Sequence, residues 1–180
     1  MTAAATAGVA TGATPVFSPG PGLAAFGLSV RPETEEDRAF VCRLYREMRW
    51  EELAQVPWPD EAKAGFLAQQ YEAQRQHYAR AYFDAEFLVI ERGGTPIGRL
   101  YLYRGNPADI RIVDIGLLTA ERGRGLGGAI LAAVFDEARA GGRSVSIHVE
   151  VFNPARRLYD RLGFVEKGEH GPYRLMEWRG

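Results

Sequence analysis

The pattern of apolar positions is clearest in the middle of the chain. The run Ile110–Leu118 is short and mostly apolar, which is typical of a buried strand. After a glycine-rich turn, apolar residues recur at helical spacing at Ile130, Leu131, Val134 and Phe135. The pattern therefore predicts a strand, a turn and a helix in direct succession.

The same reasoning predicts the elements on either side of this unit. A helix cap at Thr34, with Asp37 three residues later, precedes a first helix with the apolar face Val41, Leu44 and Met48. The other expected elements are a strand over Leu28–Arg31, a second helix from Asp60 towards Tyr82, a hairpin of strands Glu86–Glu91 and Pro96–Tyr103, and later strands over Ser144–Val151 and Tyr173–Trp178.

The first 27 residues differ from the rest. Residues 1–27 are rich in Ala, Gly, Thr and Pro and contain no charged side chain. Such a segment buries too little apolar surface to offset its loss of conformational entropy, so a mostly disordered tail is predicted, in which Phe17 and Phe26 are able to dock locally. Residues 28–180 are predicted to form a single domain.

Composition narrows the function classes. The net charge is −1, with acids and bases interspersed, which gives no electrostatic reason to expect binding to nucleic acid or to an anionic membrane surface. No apolar run is long enough to span a membrane. The single cysteine, Cys42, has no intramolecular partner for a disulfide, which suits a reducing cytoplasm, so a cytoplasmic protein is expected.

Candidate chemistry begins at the turn Arg122–Gly128. Its glycines allow backbone N–H groups to converge at the start of a helix, and Arg122 and Arg124 add positive charge. Because unpaired amides and arginines both favour anions, the turn predicts a site for a phosphate or pyrophosphate.

The glycines fit two sequence patterns. Gly123, Gly125 and Gly128 satisfy G-x-G-x-x-G, a dinucleotide fingerprint, and Glu150 lies roughly where its ribose-binding acid is sought. This motif is weak by itself, and too little chain follows Gly128 for the remaining units of a doubly wound domain.

The second pattern is Arg122-x-x-Gly125-x-Gly127, which has a companion in Asn153–Phe164 (NPARRLYDRLGF). Together the two motifs resemble the GNAT superfamily of acyl-CoA-dependent N-acyltransferases. The resemblance covers nearly the whole chain from Leu28 onwards. It implies an α/β fold (α+β in some schemes), with a mixed, mostly antiparallel sheet of six or seven strands, splayed fourth and fifth strands and about four helices.

The resemblance also implies acetyl-CoA as acyl-donor cosubstrate. Its pantetheine arm is expected to pair with the backbone between the splayed strands, and an N–H near Leu118 is a candidate donor to the thioester oxyanion. The residues that the family pattern assigns to the cofactor are Leu117, Leu118, Thr119, Arg122, Gly123, Arg124, Gly125, Leu126, Gly127, Gly128 and Asn153. Pro154 fits the first helical position after an Asn153 cap.

Two residues are candidates for catalysis. Asp114 is a carboxylate within an apolar strand, so it is either a base for the attacking amine or a structural acid paired with an arginine such as Arg111. Tyr159 occupies the position where the family has a tyrosine near the departing sulfur, although its helical spacing also fits a core residue. Glu150 and His148 are weaker candidates.

The resemblance places the acceptor site beside the first two helices. The residues expected there are Arg49, Trp50, Glu51, Glu52, Gln55, Trp58 and Tyr71, although packing is an equal alternative for the tryptophans. The expected acceptor is a primary amine of a small molecule or peptide, with no metal ion. A non-catalytic acyl-CoA sensor remains an alternative, and the chain is expected to be a monomer or homodimer.

Overall fold

A computed structural model of the chain describes residues 17–18 and 20–180. The helices are α1 Pro21–Ala24, α2 Arg38–Arg49, α3 Asp60–Ala81, α4 Leu126–Ala140 and α5 Arg156–Arg161. The strands are β1 Leu28–Pro32, β2 Glu86–Arg92, β3 Thr95–Tyr103, β4 Asp109–Leu117, β5 Ser144–Glu150, β6 Val165–His170 and β7 Tyr173–Trp178.

The seven strands form one sheet in the order β1-β2-β3-β4-β5-β7-β6. Every neighbouring pair is antiparallel except β4 and β5, which are parallel. The predicted fold class is therefore confirmed, and the doubly wound parallel sheet of a dinucleotide domain is not what forms. None of the helices described is long and apolar enough to cross a membrane.

A bulge in β4 determines which side chains reach the core. Tyr101 is opposite Asp114 and Leu102 is opposite Ile112, so Val113 has no partner on β3. The extra residue shifts the alternation, and the apolar positions Ile110 and Ile112 are followed by Ile115 and Leu117 on the same face. Asp114 consequently lies on the opposite face.

Two apolar cores result. The main core lies between the sheet and α4, with contributions from α1 and α5. The second core joins α2 to α3 through Val41, Tyr45, Leu67 and Tyr71. Helices α2 and α3 therefore lie over the face that carries Asp114, where a functional site has room to form.

The segment predicted as a tail is partly packed. Phe17 and Leu23 are buried in the main core, and the Phe17 N–H donates to the Glu86 carboxylate at 3.2 Å. Tertiary contact with a preformed apolar surface offsets the ordering cost that composition alone predicts. Phe26 stays exposed, and residues 1–16 lie outside the described residues, so the tail remains a prediction there.

The entry to α2 contains the predicted cap. Thr34 and Asp37 form a reciprocal capping box, and Arg31 binds the Asp37 carboxylate at 2.6 Å. The hydrogen bond from Arg31 lowers the pKa of Asp37 to about 2. A paired carboxylate therefore fixes the start of the helix that forms one wall of the site.

Candidate functional site

Strands β4 and β5 separate along their length. They pair from Asp109 and Ser144 as far as Ile112 and Ile147, and no pairing continues beyond these residues. The separation begins next to the bulge at Val113, which bends β4. The splayed fourth and fifth strands of the predicted fold are therefore present, and they leave an opening in the middle of the sheet.

The glycine turn leads from this opening into α4. Gly123 and Gly125 have φ values of +72° and +80°, a conformation that favours glycine. In the described part of the chain, no protein acceptor takes the backbone N–H groups of residues 123–128. Successive unpaired amides at the N-terminus of a 15-residue helix form a strong site for an anion.

The side chains of the turn have different roles. Arg122 donates from Nε to the Leu117 carbonyl at 3.0 Å, which holds the turn against the end of β4, and Arg124 is exposed. Leu126 is buried in the main core, so this residue offers a ligand its backbone rather than its side chain. A Cβ at Gly127 would approach Leu158 of α5 to 3.3 Å, which explains the small residue there.

The backbone N–H groups of Leu118 and Thr119, which were expected to face the opening, are bonded within the protein. The Leu118 N–H donates to the Ile97 carbonyl at 2.9 Å, and the Thr119 N–H donates to the Glu47 carboxylate. Both amides are therefore occupied, which argues against Leu118 as the oxyanion donor. Because backbone groups alternate in direction along an antiparallel pair, those of Ile115 and Leu117 face the opening.

A cleft of about 920 Å³ lies between the sheet and helices α2 and α3, and it extends into the opening between β4 and β5 as far as Tyr159 of the main core. It brings together Asp114, Tyr159, Asn153, Arg49 and Glu52, which come from separate parts of the predicted site. Among the residues that the structure describes, no group of three or more His, Cys, Asp or Glu side chains is arranged to hold a metal ion.

Asp114 forms an ion pair with an arginine other than the one suggested by the sequence. Arg99 Nη2 lies 2.6 Å from Asp114 Oδ2, and the Tyr78 hydroxyl donates to the same oxygen at 3.2 Å. The register places Arg99 diagonally across from Asp114 on one face of the sheet. Arg111 instead contacts His148, with Nη1 2.7 Å from Nδ1.

Tyr159 packs in the main core and also lines the cleft. Its ring is buried and contacts Phe164 edge-on at 5.5 Å, as its helical spacing predicts for a core residue. Burial raises the pKa of Tyr159, and the nearby Asp114 raises it further, so the hydroxyl keeps its proton near neutral pH.

Asn153 forms a turn just before α5, whose N-cap is Ala155 and not Asn153 as predicted. Its side-chain oxygen accepts the Ala155 N–H at 2.9 Å, and α5 begins at Arg156 rather than at Pro154. The side chain is thus engaged locally, and the turn it makes positions the helix that carries Tyr159.

Five of the seven predicted acceptor-side positions do not line the cleft: Trp50, Glu51, Gln55, Trp58 and Tyr71. Tyr71 is buried between α2 and α3, where burial raises its pKa to about 12, and Trp50 packs against the same core. Trp58 is half-exposed in contact with Phe66, with ring centroids 5.6 Å apart. Packing describes the position of Trp50, because the apolar faces of α2 and α3 turn towards each other, whereas Trp58 contacts Phe66 at the surface.

Arg49 and Glu52 do line the cleft, and they are joined by Glu150 of β5. Arg49 lies 2.7 Å from Glu52 and 2.8 Å from Glu150. Burial opposes the charge of Arg49, but the two carboxylates outweigh it and raise its pKa. Burial raises the pKa of Glu52, and Arg49 offsets part of this effect.

The sequence interpretation missed Arg99, Tyr78 and His170, all of which line the cleft. Arg99 could have been recognised from the sequence, because it is a charged residue within the apolar run Ile97–Leu102. Asp114 is a charged residue within an apolar strand in the same way. No local signal distinguishes Tyr78 from the other tyrosine of its helix.

Curated relatives match part of the chain. The mycothiol acetyltransferases of two strains of Corynebacterium glutamicum are 34% identical over 94 residues, which is 51% of this chain and 32% of theirs. The chain therefore spans about a third of the length of these relatives.

Solved structures match nearly all of the described chain. The PaiA N-acetyltransferase of Thermoplasma acidophilum, in complex with coenzyme A, is 17% identical with a TM-score of 0.66, covering 85% of this chain and 99% of that one. An acetyltransferase from Thermus thermophilus is 20% identical with a TM-score of 0.62, covering 85% and 97%. At these identities the likeness establishes the fold.

The sequence model of the acetyltransferase (GNAT) family matches residues 45–164, two thirds of the chain. This range contains the glycine turn, the splayed strands and the motif Asn153–Phe164. The chain therefore belongs to the acetyltransferase (GNAT) family.

Proposed function

We propose that this protein is an N-acetyltransferase that moves the acetyl group from acetyl-CoA to a primary amine of a small molecule or peptide. The observation that carries the proposal is the run of unpaired amides at residues 123–128, which adjoins the opening between β4 and β5. The opening in turn adjoins the cleft that holds Asp114 and Tyr159.

The residues present suit an acyl-CoA. The amides of the turn and Arg124 are the groups to hold a pyrophosphate, since backbone donors at a helix N-terminus favour anions. The backbone of Ile115 and the N–H of Leu117 offer partners for the two amides of a pantetheine arm, while the Leu117 carbonyl accepts from Arg122. The cosubstrate supplies an activated thioester, so no nucleophilic side chain is required of the protein.

The acetyl transfer then proceeds by direct attack in a ternary complex. The amine nitrogen bonds to the acetyl carbonyl carbon, and the carbon–sulfur bond breaks. An aliphatic amine has a pKa near 10 and enters mostly as ammonium, so it must lose a proton. Asp114 is the proposed acceptor of that proton, directly or through water, because its carboxylate lines the cleft.

Tyr159 acts on the leaving sulfur. An ordinary tyrosine is a weaker acid than a thiol, so full proton transfer to the thiolate costs about 2 kcal/mol. Burial and Asp114 raise the pKa of Tyr159 further, which increases that cost. We therefore assign Tyr159 as a hydrogen-bond donor that stabilises the thiolate.

Thermal shift with acetyl-CoA, CoA, NAD⁺ and ATP tests the donor site. A ligand at 100-fold over its Kd adds about 2.7 kcal/mol, or roughly 5–10 °C in Tm for a domain of this size. Arg124→Glu and Gly125→Asp are expected to abolish the shift. Arg80→Glu and Gly65→Asp, which change equivalent residues on the exposed part of α3, are matched controls.

The outcomes separate the competing functions. A shift with the CoA compounds alone, lost in the two loop variants, supports an acyl-CoA site, and release of CoA thiol with an amine panel then supports transfer. A shift without thiol release from any amine favours an acyl-CoA sensor. A shift with NAD⁺ or ATP and none with CoA refutes the acyltransferase proposal.

A further inference from the structure

One end of the cleft carries three basic side chains beyond Asp114. Arg111 of β4, His148 of β5 and His170 of β6 all line it. Arg111 Nη1 lies 2.7 Å from His148 Nδ1, and the two imidazole rings meet edge-on with centroids 5.3 Å apart. Three strands thus bring three side chains to one place.

Arg111 differs from the other arginines of the cleft. Arg49 has Glu52 and Glu150 as partners, and Arg99 has Asp114. Within the described chain, Arg111 has no carboxylate at salt-bridge distance, and the group it contacts is an imidazole. Among the described residues, the Arg111 guanidinium therefore has no direct counter-ion.

The charge of this group suits a monoanion. Burial, Arg111 and His170 all lower the pKa of His148, so its ring is neutral near pH 7. The Arg111 guanidinium carries the one permanent positive charge among the three side chains. A planar guanidinium pairs well with a planar carboxylate, and one positive charge matches a carboxylate better than a phosphate dianion.

Resting on the proposed function, we propose that the acceptor is a primary amine that carries a carboxylate at its far end. The carboxylate binds Arg111, His148 and His170, and the amine lies at Asp114. Arg111 and Asp114 lie on the same face of β4, three residues apart, or at most about 10 Å between Cα atoms. The acceptor therefore contains a spacer of several atoms, as in an ω-amino acid.

Paired probes test this assignment. The kcat/KM for CoA thiol release is measured with acetyl-CoA and three amines of one length: 6-aminohexanoate, hexylamine and 1,6-diaminohexane. We expect 6-aminohexanoate to exceed hexylamine by about tenfold to hundredfold, the range for a charge-assisted hydrogen bond. Arg111→Gln should remove most of this ratio, mainly through KM, while Arg80→Gln on α3 should retain it.

Either of two results overturns the proposal. One is a wild-type enzyme that uses hexylamine or the diamine as well as 6-aminohexanoate. The other is an Arg111→Gln enzyme with an unchanged ratio between the first two probes. Both results leave the acetyltransferase function itself intact.

A binding measurement without turnover separates this inference from the proposed function. The ring-proton NMR signals of His148 and His170 are followed as 6-aminohexanoate or hexylamine is added with no acyl donor present. Shifts with 6-aminohexanoate, lost in Arg111→Gln, support the carboxylate site even if no amine is acetylated. Signals that do not move with 6-aminohexanoate refute it.

Discussion

Replacing Asp114 with asparagine leaves the Arg99 guanidinium facing an amide in place of a carboxylate. The Arg99 side chain is 2% exposed and that of Asp114 is 11% exposed, so water reaches the arginine poorly. The substitution keeps the shape of the side chain and its accepting oxygen. Its main effect is therefore to leave a buried positive charge without its counter-ion.

The structure sets the size of the effect. Removing one member of a fully buried ion pair costs about 3–5 kcal/mol. Asp114 also lines a cleft open to water, and the asparagine oxygen still accepts a hydrogen bond, so we expect about 2–3 kcal/mol. For a chain of this length that corresponds to a fall in Tm of about 4–10 °C.

The assay is urea unfolding of Asp114→Asn, Arg99→Met and the double variant. Because the double variant buries neither charge, it should be more stable than the sum of the single losses predicts, by about 1–3 kcal/mol. Glu52→Gln is the matched control in the same cleft. The Glu52 side chain is 51% exposed, so its loss should cost under about 1 kcal/mol.

Two results would refute this reasoning. The first is an Asp114→Asn variant that unfolds at the same urea concentration as Glu52→Gln, which would mean that solvent already screens the pair. The second is a double variant that loses the full sum of the single effects, which would mean that Arg99 and Asp114 do not interact. The first result would leave Asp114 without a structural role, and the second would assign its role to contacts other than Arg99, such as the Tyr78 hydroxyl.

Single contacts support three more predictions. Gly98→Ala should lower the free energy of unfolding by about 1–3 kcal/mol, because the new Cβ would collide with the Gly116 carbonyl oxygen on β4. As a control, Gly65→Ala on the open side of α3 should raise the free energy of unfolding by about 0.5–1 kcal/mol. Tyr159→Phe should lower kcat for thiol release about a hundredfold while CoA still raises Tm, since the thiolate loses its donor. The folded-state pKa of Asp37, about 2, is below its ordinary value of 3.8, so the stability it contributes is present above pH 4 and is lost as the pH falls towards 2. Because Arg31 is partly exposed, that contribution is limited to about 1–2 kcal/mol. In Asp37→Asn, the free energy of unfolding measured with urea should therefore fall less steeply between pH 4 and pH 2 than in the wild type.

Each of these has a contrary outcome. Gly98→Ala as stable as wild type would mean that β3 and β4 can separate without cost. Full turnover by Tyr159→Phe would end its assignment as donor. Parallel loss of stability in wild type and Asp37→Asn between pH 4 and 2 would assign acid sensitivity to other carboxylates.

Most of the fold could be predicted from interactions between residues that are close in sequence. The cap at Thr34, the glycine turn before α4 and the hairpin turn between the apolar runs of β2 and β3 each act within a few residues, and each element formed close to where its pattern placed it. The order of elements and the two motifs are also properties of the linear sequence. Through the family that they resemble, they sufficed to predict the sheet with its splayed strands.

The pairing of side chains depended on the tertiary structure. Arg111 and Arg99 are both plausible partners for Asp114 in the sequence, and the β3–β4 register with its bulge at Val113 selects Arg99. In the same register, the Leu118 N–H donates a hydrogen bond to the Ile97 carbonyl. A sequence pattern gives the face on which a residue lies, but it does not give the offset between two strands.

The sequence alone thus determined the elements, the family and the glycine turn proposed to bind the pyrophosphate, because helix caps, glycine turns and apolar periodicity are local. The tertiary structure decided that Phe17 and Leu23 are buried, that Tyr71 lies between two helices, and that Arg111 contacts His148 rather than Asp114. These outcomes depend on contacts between residues far apart in the chain, whose free energies are set by packing and burial rather than by neighbours in sequence.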